Sequence, residues 1–320
     1  MLKLRFLAQC LVSLALLGFL LGRIEWRGLA AIWQQMDVPV ALTASLLTFP
    51  LLLLLAVRWR IFLRQQHIAI RFRSVLALTW TGQFFNSFLP GSTGGDVSKI
   101  IQLCRRHPDR KAQAAVTVIL DRLSALVAMV MLAGCAWVMG PSWKILQAGL
   151  MSINFAHWSL GLLLALMGGA VLVLVARRFG SDLWRERWAR IGAALQTGFQ
   201  LNAGTVTALL LAVLIHFLNF TIFFLFARAL GISITYADVL LMLPVVFLLL
   251  LLPVTVNGHG LREVLLIFYF TQFGVHLTGG QTAGIPEIVV SLSAVCLAND
   301  LLWSLPGGLL CLFPSRSGRA

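Results

Sequence analysis

Six ionisable side chains, Asp96, Asp121, Arg122, Arg262, Glu263 and Asp300, stand in or beside runs of sequence that are otherwise apolar. An ionised group at membrane depth costs at least a few kcal/mol, so each is a candidate for function. Two cations facing four acids leave a summed charge of −2, less negative if burial protonates an acid. Asn86, Gly94 and Gly95 precede Asp96; Asn257, Gly258 and Gly260 precede Arg262. Glycine-rich turns that open a helix leave backbone amides free, and those amides with the helix dipole favour an anion such as phosphate. Arg122 and Arg262 add positive charge, and the asparagines offer both donors and acceptors. His259, between the glycines, can titrate near neutral pH. Apolar walls around these groups suit acyl or prenyl chains. The chemistry is therefore recognition of an anionic lipid head group; an inorganic anion is the alternative, and needs less apolar lining.

The elements that position these groups must be membrane helices. Of the 320 residues, 59% are hydrophobic and 11% charged, against roughly 45–50% and 25% in soluble domains. That excludes a soluble enzyme. The net charge of +14 is carried between apolar runs, which points to the anionic face of a bilayer rather than to nucleic acid. Five cysteines show no metal-ligand spacing and no disulfide framework. No phosphate-binding loop of the G-x-x-x-x-G-K-[ST] type is present, and no cofactor or metal is expected.

About 20 apolar residues cross a hydrocarbon layer roughly 30 Å thick. Six segments qualify: 4–22, 38–57, 112–139, 157–176, 203–228 and 286–313. Lysine and arginine cluster at 3–5, 58–73, 99–111, 177–190 and the C-terminal tail. The positive-inside rule then puts both termini on the cytoplasmic side of an inner membrane.

Residues 74–98 are apolar but flanked by basic clusters on both sides, so they enter and return without crossing. The same argument from the other face applies before the last span. Two re-entrant hairpins follow, 74–103 and 237–274, opening to opposite sides. Their tips, Leu89-Pro90-Gly91-Ser92-Thr93-Gly94-Gly95-Asp96 and Leu252-Pro253-Val254-Thr255-Val256-Asn257-Gly258-His259-Gly260-Leu261-Arg262-Glu263, are built alike. Proline stops the incoming helix and glycine permits the turn. Paired, opposed hairpins of this kind build the midplane site of inverted-repeat transporters. The alternative, two ordinary spans kinked by Pro and Gly, puts basic loops on the wrong side. The expected fold is thus a single all-α polytopic domain over 1–320, with six spans and two opposed hairpins. Two amphipathic stretches, 24–36 and 181–200, suit the membrane interface.

Phe85-Asn86-Ser87-Phe88-Leu89-Pro90 with Gly94-Gly95-Asp96, then Asp121-Arg122, then Leu252-Pro253 with Asn257-Gly258-His259-Gly260-Leu261-Arg262-Glu263, resembles the lysylphosphatidylglycerol synthase transmembrane-region family of flippase-like membrane proteins. Arg58-Trp59 and Pro306-Gly307-Gly308 look like its remaining marks. Many relatives carry Pro-Gly-Arg-x-Gly-Glu at the first tip; Ser92, Thr93 and Asp96 stand here instead, which removes any arginine contact at that point. Bifunctional relatives add an aminoacyl-transferase domain after the membrane part. This chain runs to Ala320, and the resemblance implies the lipid-handling half alone.

The expected function is a flippase-like transporter of an anionic-head-group lipid, without enzymatic activity. Its path is formed by Asn86, Gly94, Gly95, Asp96, Asp121, Arg122, Asn257, Gly258, Gly260, Arg262, Glu263 and Asp300. Two rival classes are an intramembrane lipid transferase or phosphatase, with Asp96 or Glu263 as base, and a non-catalytic membrane partner of a lipid-modifying enzyme.

Overall fold

The computed structural model describes residues 26–88, 94–139, 202–250, 260–272, 274–277 and 284–312. The expected spans 4–22 and 157–176, the segment 181–200, both termini and the tip residues 89–93 and 251–259 lie outside the described residues. Asn257, Gly258 and His259 therefore lie outside the described residues.

The described chain is helical, with one isolated bridge between Ile232 and Leu277. In order come α1 (Trp26–Gln34), α2 (Val38–Leu46), α3 (Thr48–Gln65), α4 (Phe72–Phe88), α5 (Gly94–Arg106), α6 (Lys111–Met139), α7 (Ala203–Ala229), α8 (Tyr236–Leu250), α9 (Leu261–Gln272) and α10 (Ile285–Leu312). Among the described residues, four stretches are long and apolar enough to cross a membrane: Val38–Gln65, Pro108–Cys135, Ala203–Ala229 and Ile285–Cys311. They coincide with the spans expected at 38–57, 112–139, 203–228 and 286–313. The first runs on to Gln65 because Trp59, Phe62 and Leu63 continue its buried face. The chain is an all-α polytopic membrane protein.

Local chemistry sets the helix ends. Asp37 caps α2 by accepting the Val40 N–H at 3.2 Å, and Pro39 follows in the first turn. Asn202 caps α7 through the Thr205 N–H at 2.9 Å. Thr235 and Asp238 form a reciprocal capping box at the start of α8: the Thr235 N–H reaches Asp238 Oδ2 at 3.0 Å, and the Asp238 N–H reaches Thr235 Oγ1 at 3.2 Å.

The joints after α3 and α7 are the same motif. After α7, Gly231 has φ +70° and donates to the Arg228 carbonyl, while the Ile232 N–H reaches back to Ala227. After α3, His67 has φ +54° and donates to Arg64, while the Ile68 N–H reaches back to Leu63. Both are helix stops with a left-handed residue followed by a buried isoleucine. Glycine adopts that conformation freely, whereas His67 does so against its Cβ.

Each joint leads into two short helices and then a long one, so α3-α4-α5-α6 and α7-α8-α9-α10 repeat one pattern. The two short helices close on themselves at their outer ends. In the first half Arg110 donates to the His67 carbonyl, and Phe72 and Ile100 share one apolar cluster with Leu103. In the second, the Ser233 N–H donates to the His276 carbonyl at 2.8 Å beside the Ile232–Leu277 bridge.

The halves are inverted. Gln65, at the end of α3, donates to Asn202 and Thr205 at the start of α7 at 2.9 and 3.1 Å. The Asp37 N–H, before α2, donates to the Ala229 carbonyl at the end of α7 at 2.8 Å. The α2–α3 span and α7 are therefore antiparallel, and the two helical hairpins hang from opposite ends of the pair. Helix α10 packs on both of them: Trp80 of α4 donates to the Trp303 carbonyl at 2.9 Å, and Arg262 lies against Ser293. The larger core cluster joins α7, α8, α9 and α10 around Phe220, Phe270 and Met242.

Candidate functional site

The first group of charges lies where α3, α5 and α6 meet. Asp121 is the eleventh residue of α6, about 15 Å along its axis, and is buried. Its Oδ1 accepts the Arg58 Nε–H at 2.8 Å, and Arg58 is only 3% exposed. Arg122, next along the helix, turns toward α5 instead. Its Nε–H and an Nη2–H donate to the two oxygens of Asp96 at 2.6 and 3.0 Å. That fork of parallel hydrogen bonds is the strong form of the pair. The Arg122 side chain remains 52% exposed, while that of Asp96 is 15% exposed.

Lys99 completes the group. It stands one turn after Asp96 on α5, with its amine 5.0 Å from the centre of the Trp59 ring. Trp59 is fully buried and donates its indole N–H to Thr117 Oγ1 at 3.2 Å. The ring thus gives Lys99 a cation–π seat and fixes α3 to α6.

The first tip is tied by Asn86, whose side-chain oxygen accepts the Gly95 N–H at 2.7 Å. Gly95 is buried, and a Cβ there would lie 2.1 Å from the Gly82 carbonyl oxygen. No side chain fits between α4 and α5 at this level.

The second group is built on the first turn of α9. Glu263 is 3% exposed. Its Oε2 accepts the Gly260 N–H at 2.7 Å, and its Oε1 accepts Arg262 Nε–H and Nη2–H at 3.2 and 3.1 Å. The first bond is half of a capping box. Arg262 also points Nη2 at the Ser293 carbonyl of α10, 3.5 Å away.

Asp300 stands near the middle of α10, exposed, and has no hydrogen bond or ion pair among the described residues. Beside it Asn299 is buried and donates to Thr48 Oγ1 at 3.0 Å, while its own oxygen lacks a partner.

Asp96, Asp121 and Arg122 come together with Asn86, Gly94 and Gly95 around the first hairpin. Gly260, Arg262 and Glu263 come together around the second. Asp121 and Arg122 each face a different neighbouring helix. One expectation is corrected: the charge inventory lacked two members. Arg58 and Lys99 belonged, by sequence, to basic loops; in the structure both lie on helices within the first group. Four cations then face four acids, and the summed charge of −2 disappears. The overlooked signals were Arg58-Trp59 inside the apolar run that ends at Leu63, and the one-turn spacing from Asp96 to Lys99.

Among the described residues no three His, Cys, Asp or Glu side chains gather to hold a metal ion. The family model described as Lysylphosphatidylglycerol synthase TM region matches residues 6–284. No curated protein matches the chain.

Proposed function

Because the chain belongs to the lysylphosphatidylglycerol synthase transmembrane-region family, we propose that it moves a lipid with an anionic head group, of phospholipid or polyprenyl-phosphate type, across the inner membrane. The observation that carries this reading is the Asp96–Arg122 fork at the first tip. Arg122 is half-exposed at membrane depth, and its two bound donors match a phosphate as well as a carboxylate. An arriving head group can exchange with Asp96 for those donors and leave by the reverse exchange. Arg262 and Glu263 offer the same exchange at the second tip.

The hairpin helices support the re-entrant arrangement. Over the described residues they number 17, 13, 15 and 12, all short of the roughly 20 needed to cross. Hairpins entering from opposite faces give a head group a polar station from each leaflet. Protonation of Asp300 is the route by which an ion gradient would drive the cycle. In this reading the basic loops and both termini face the cytoplasm.

The test is a leaflet-resolved assay in proteoliposomes containing a head-group-labelled anionic phospholipid. Labelled lipid must become accessible from the other leaflet faster than in protein-free vesicles, and Arg122→Ala must remove the excess rate. A chemically altered lipid on chromatography would instead favour the transferase reading. Unchanged lipid with no gain in exchange would favour a partner role.

A further inference from the structure

We propose that the groove between α4, α5 and the end of α10 is a second lipid site, which holds one acidic phospholipid with its phosphate against Arg105 and Arg106. The site rests on the transport reading for its role, as the place where cargo waits, but its occupancy is a separate question. The groove has a volume of about 540 Å³.

One face of α5 forms its floor. Gly94, Val97, Ser98, Ile101, Gln102 and Arg105 all line it, at the three- and four-residue spacing of a single helix stripe. From Gly94 to Arg106 that stripe is about 18 Å long. Val97 and Ile101 run along it beside a polar pair in which Gln102 donates to Ser98 Oγ at 3.0 Å, Phe85 lines the groove from α4, and the far end carries the two arginines. Leu310 and Cys311 of α10 form an apolar wall opposite.

The two arginines differ from those of the charge groups. Arg58, Arg122 and Arg262 each hold a carboxylate. Arg105 and Arg106 are exposed, and neither has an ion pair or hydrogen bond among the described residues. Their position in the last turn of α5 is accounted for by the helix dipole. The dipole does not account for a mostly apolar groove that runs from these arginines toward the tip. Val97 and Ile101, 52% and 46% exposed, are left uncovered along it, as is Leu310 on the facing wall at 40%. An amphiphile with an anionic head and acyl tails satisfies both ends at once; free phosphate satisfies one.

The full chain in phosphatidylcholine nanodiscs, doped with phosphatidylglycerol bearing a photoreactive acyl chain, tests the site. Cross-links should concentrate on peptides covering residues 77–106 and 310–311. A photoreactive phosphatidylcholine should label them at least about tenfold less, equivalent to about 1.4 kcal/mol. Arg105→Gln with Arg106→Gln should abolish the preference in protein that stays monodisperse. Equal labelling by the two lipids in the unaltered protein overturns the site without any variant. So does loss of labelling to inorganic phosphate at the same phosphate concentration, which would make the arginines a site for the free anion. Head-group-selective labelling without leaflet exchange keeps the site and sinks the transport reading. Exchange without selective labelling does the opposite.

Discussion

Arg58 and Asp121 are 63 residues apart in the chain and share a buried 2.8 Å ion pair between α3 and α6. Removing one partner strands a charge that the surroundings cannot solvate. Arg58→Ala and Asp121→Ala should each destabilise the protein by about 3–5 kcal/mol. The double change Arg58→Met with Asp121→Leu should cost less than either. Denaturation of the detergent-solubilised variants checks this; a double variant worse than both singles would contradict it.

Gly95 lets α4 and α5 touch backbone to backbone. Gly95→Ala puts a methyl group against the Gly82 carbonyl, and overpacking of this kind costs about 1–3 kcal/mol. Transport should fall with it, because the Asn86 bond that ties the tip is pushed apart. A Gly95→Ala protein with normal melting and normal exchange would show that the hairpin closes otherwise.

Arg122 and Arg262 are each expected to lose lipid exchange as the Ala variant while still inserting and remaining monodisperse. Arg122→Lys and Arg262→Lys should recover part of the rate, since an ammonium cannot make the planar two-bond contact. Full recovery by lysine in the proteoliposome assay would mean that charge alone suffices.

Asp300 has no bonded partner among the described residues, so Asp300→Asn should change stability by no more than about 0.5 kcal/mol. If its protonation couples the cycle, the variant should still exchange lipid but no longer respond to an imposed pH gradient. An unchanged response assigns coupling elsewhere.

Sidedness has its own check. Cysteines at Ser74 and His107 should react with an impermeant reagent from one side only, and cysteines at Thr235 and His276 from the other. Labelling of one pair from opposite sides would convert that hairpin into a crossing.

The long spans were legible because length and apolarity alone specify them: α7, expected at 203–228, runs from Ala203 to Ala229. The two Leu-Pro tips fall between α4 and α5 and between α8 and α9, so the division of each pair of short helices was legible for the same kind of local reason. What sequence could not give was partnership. Consecutive helical residues point in different directions, so Asp121 and Arg122 look like a pair on paper and reach different helices in space. Arg58 read as the first residue of a basic loop because four more arginines follow by residue 73. Only the packing of Trp59, Phe62 and Leu63 brings that turn inside. The inversion of the halves was hinted at by similar tips, and the matched stops share an arginine and an isoleucine, Arg64 with Ile68 and Arg228 with Ile232, around a left-handed residue that differs, His67 against Gly231.

Antiparallel halves bear on direction. If one half were the mirror-sided counterpart of the other, with its own guanidinium–carboxylate pair, the machine would have no forward stroke in its architecture. A cargo would meet equivalent exchanges whichever leaflet it left. Net movement under the transport reading would then follow whichever side is richer in lipid or protons, and the same protein would fill a leaflet under one gradient and drain it under the opposite one.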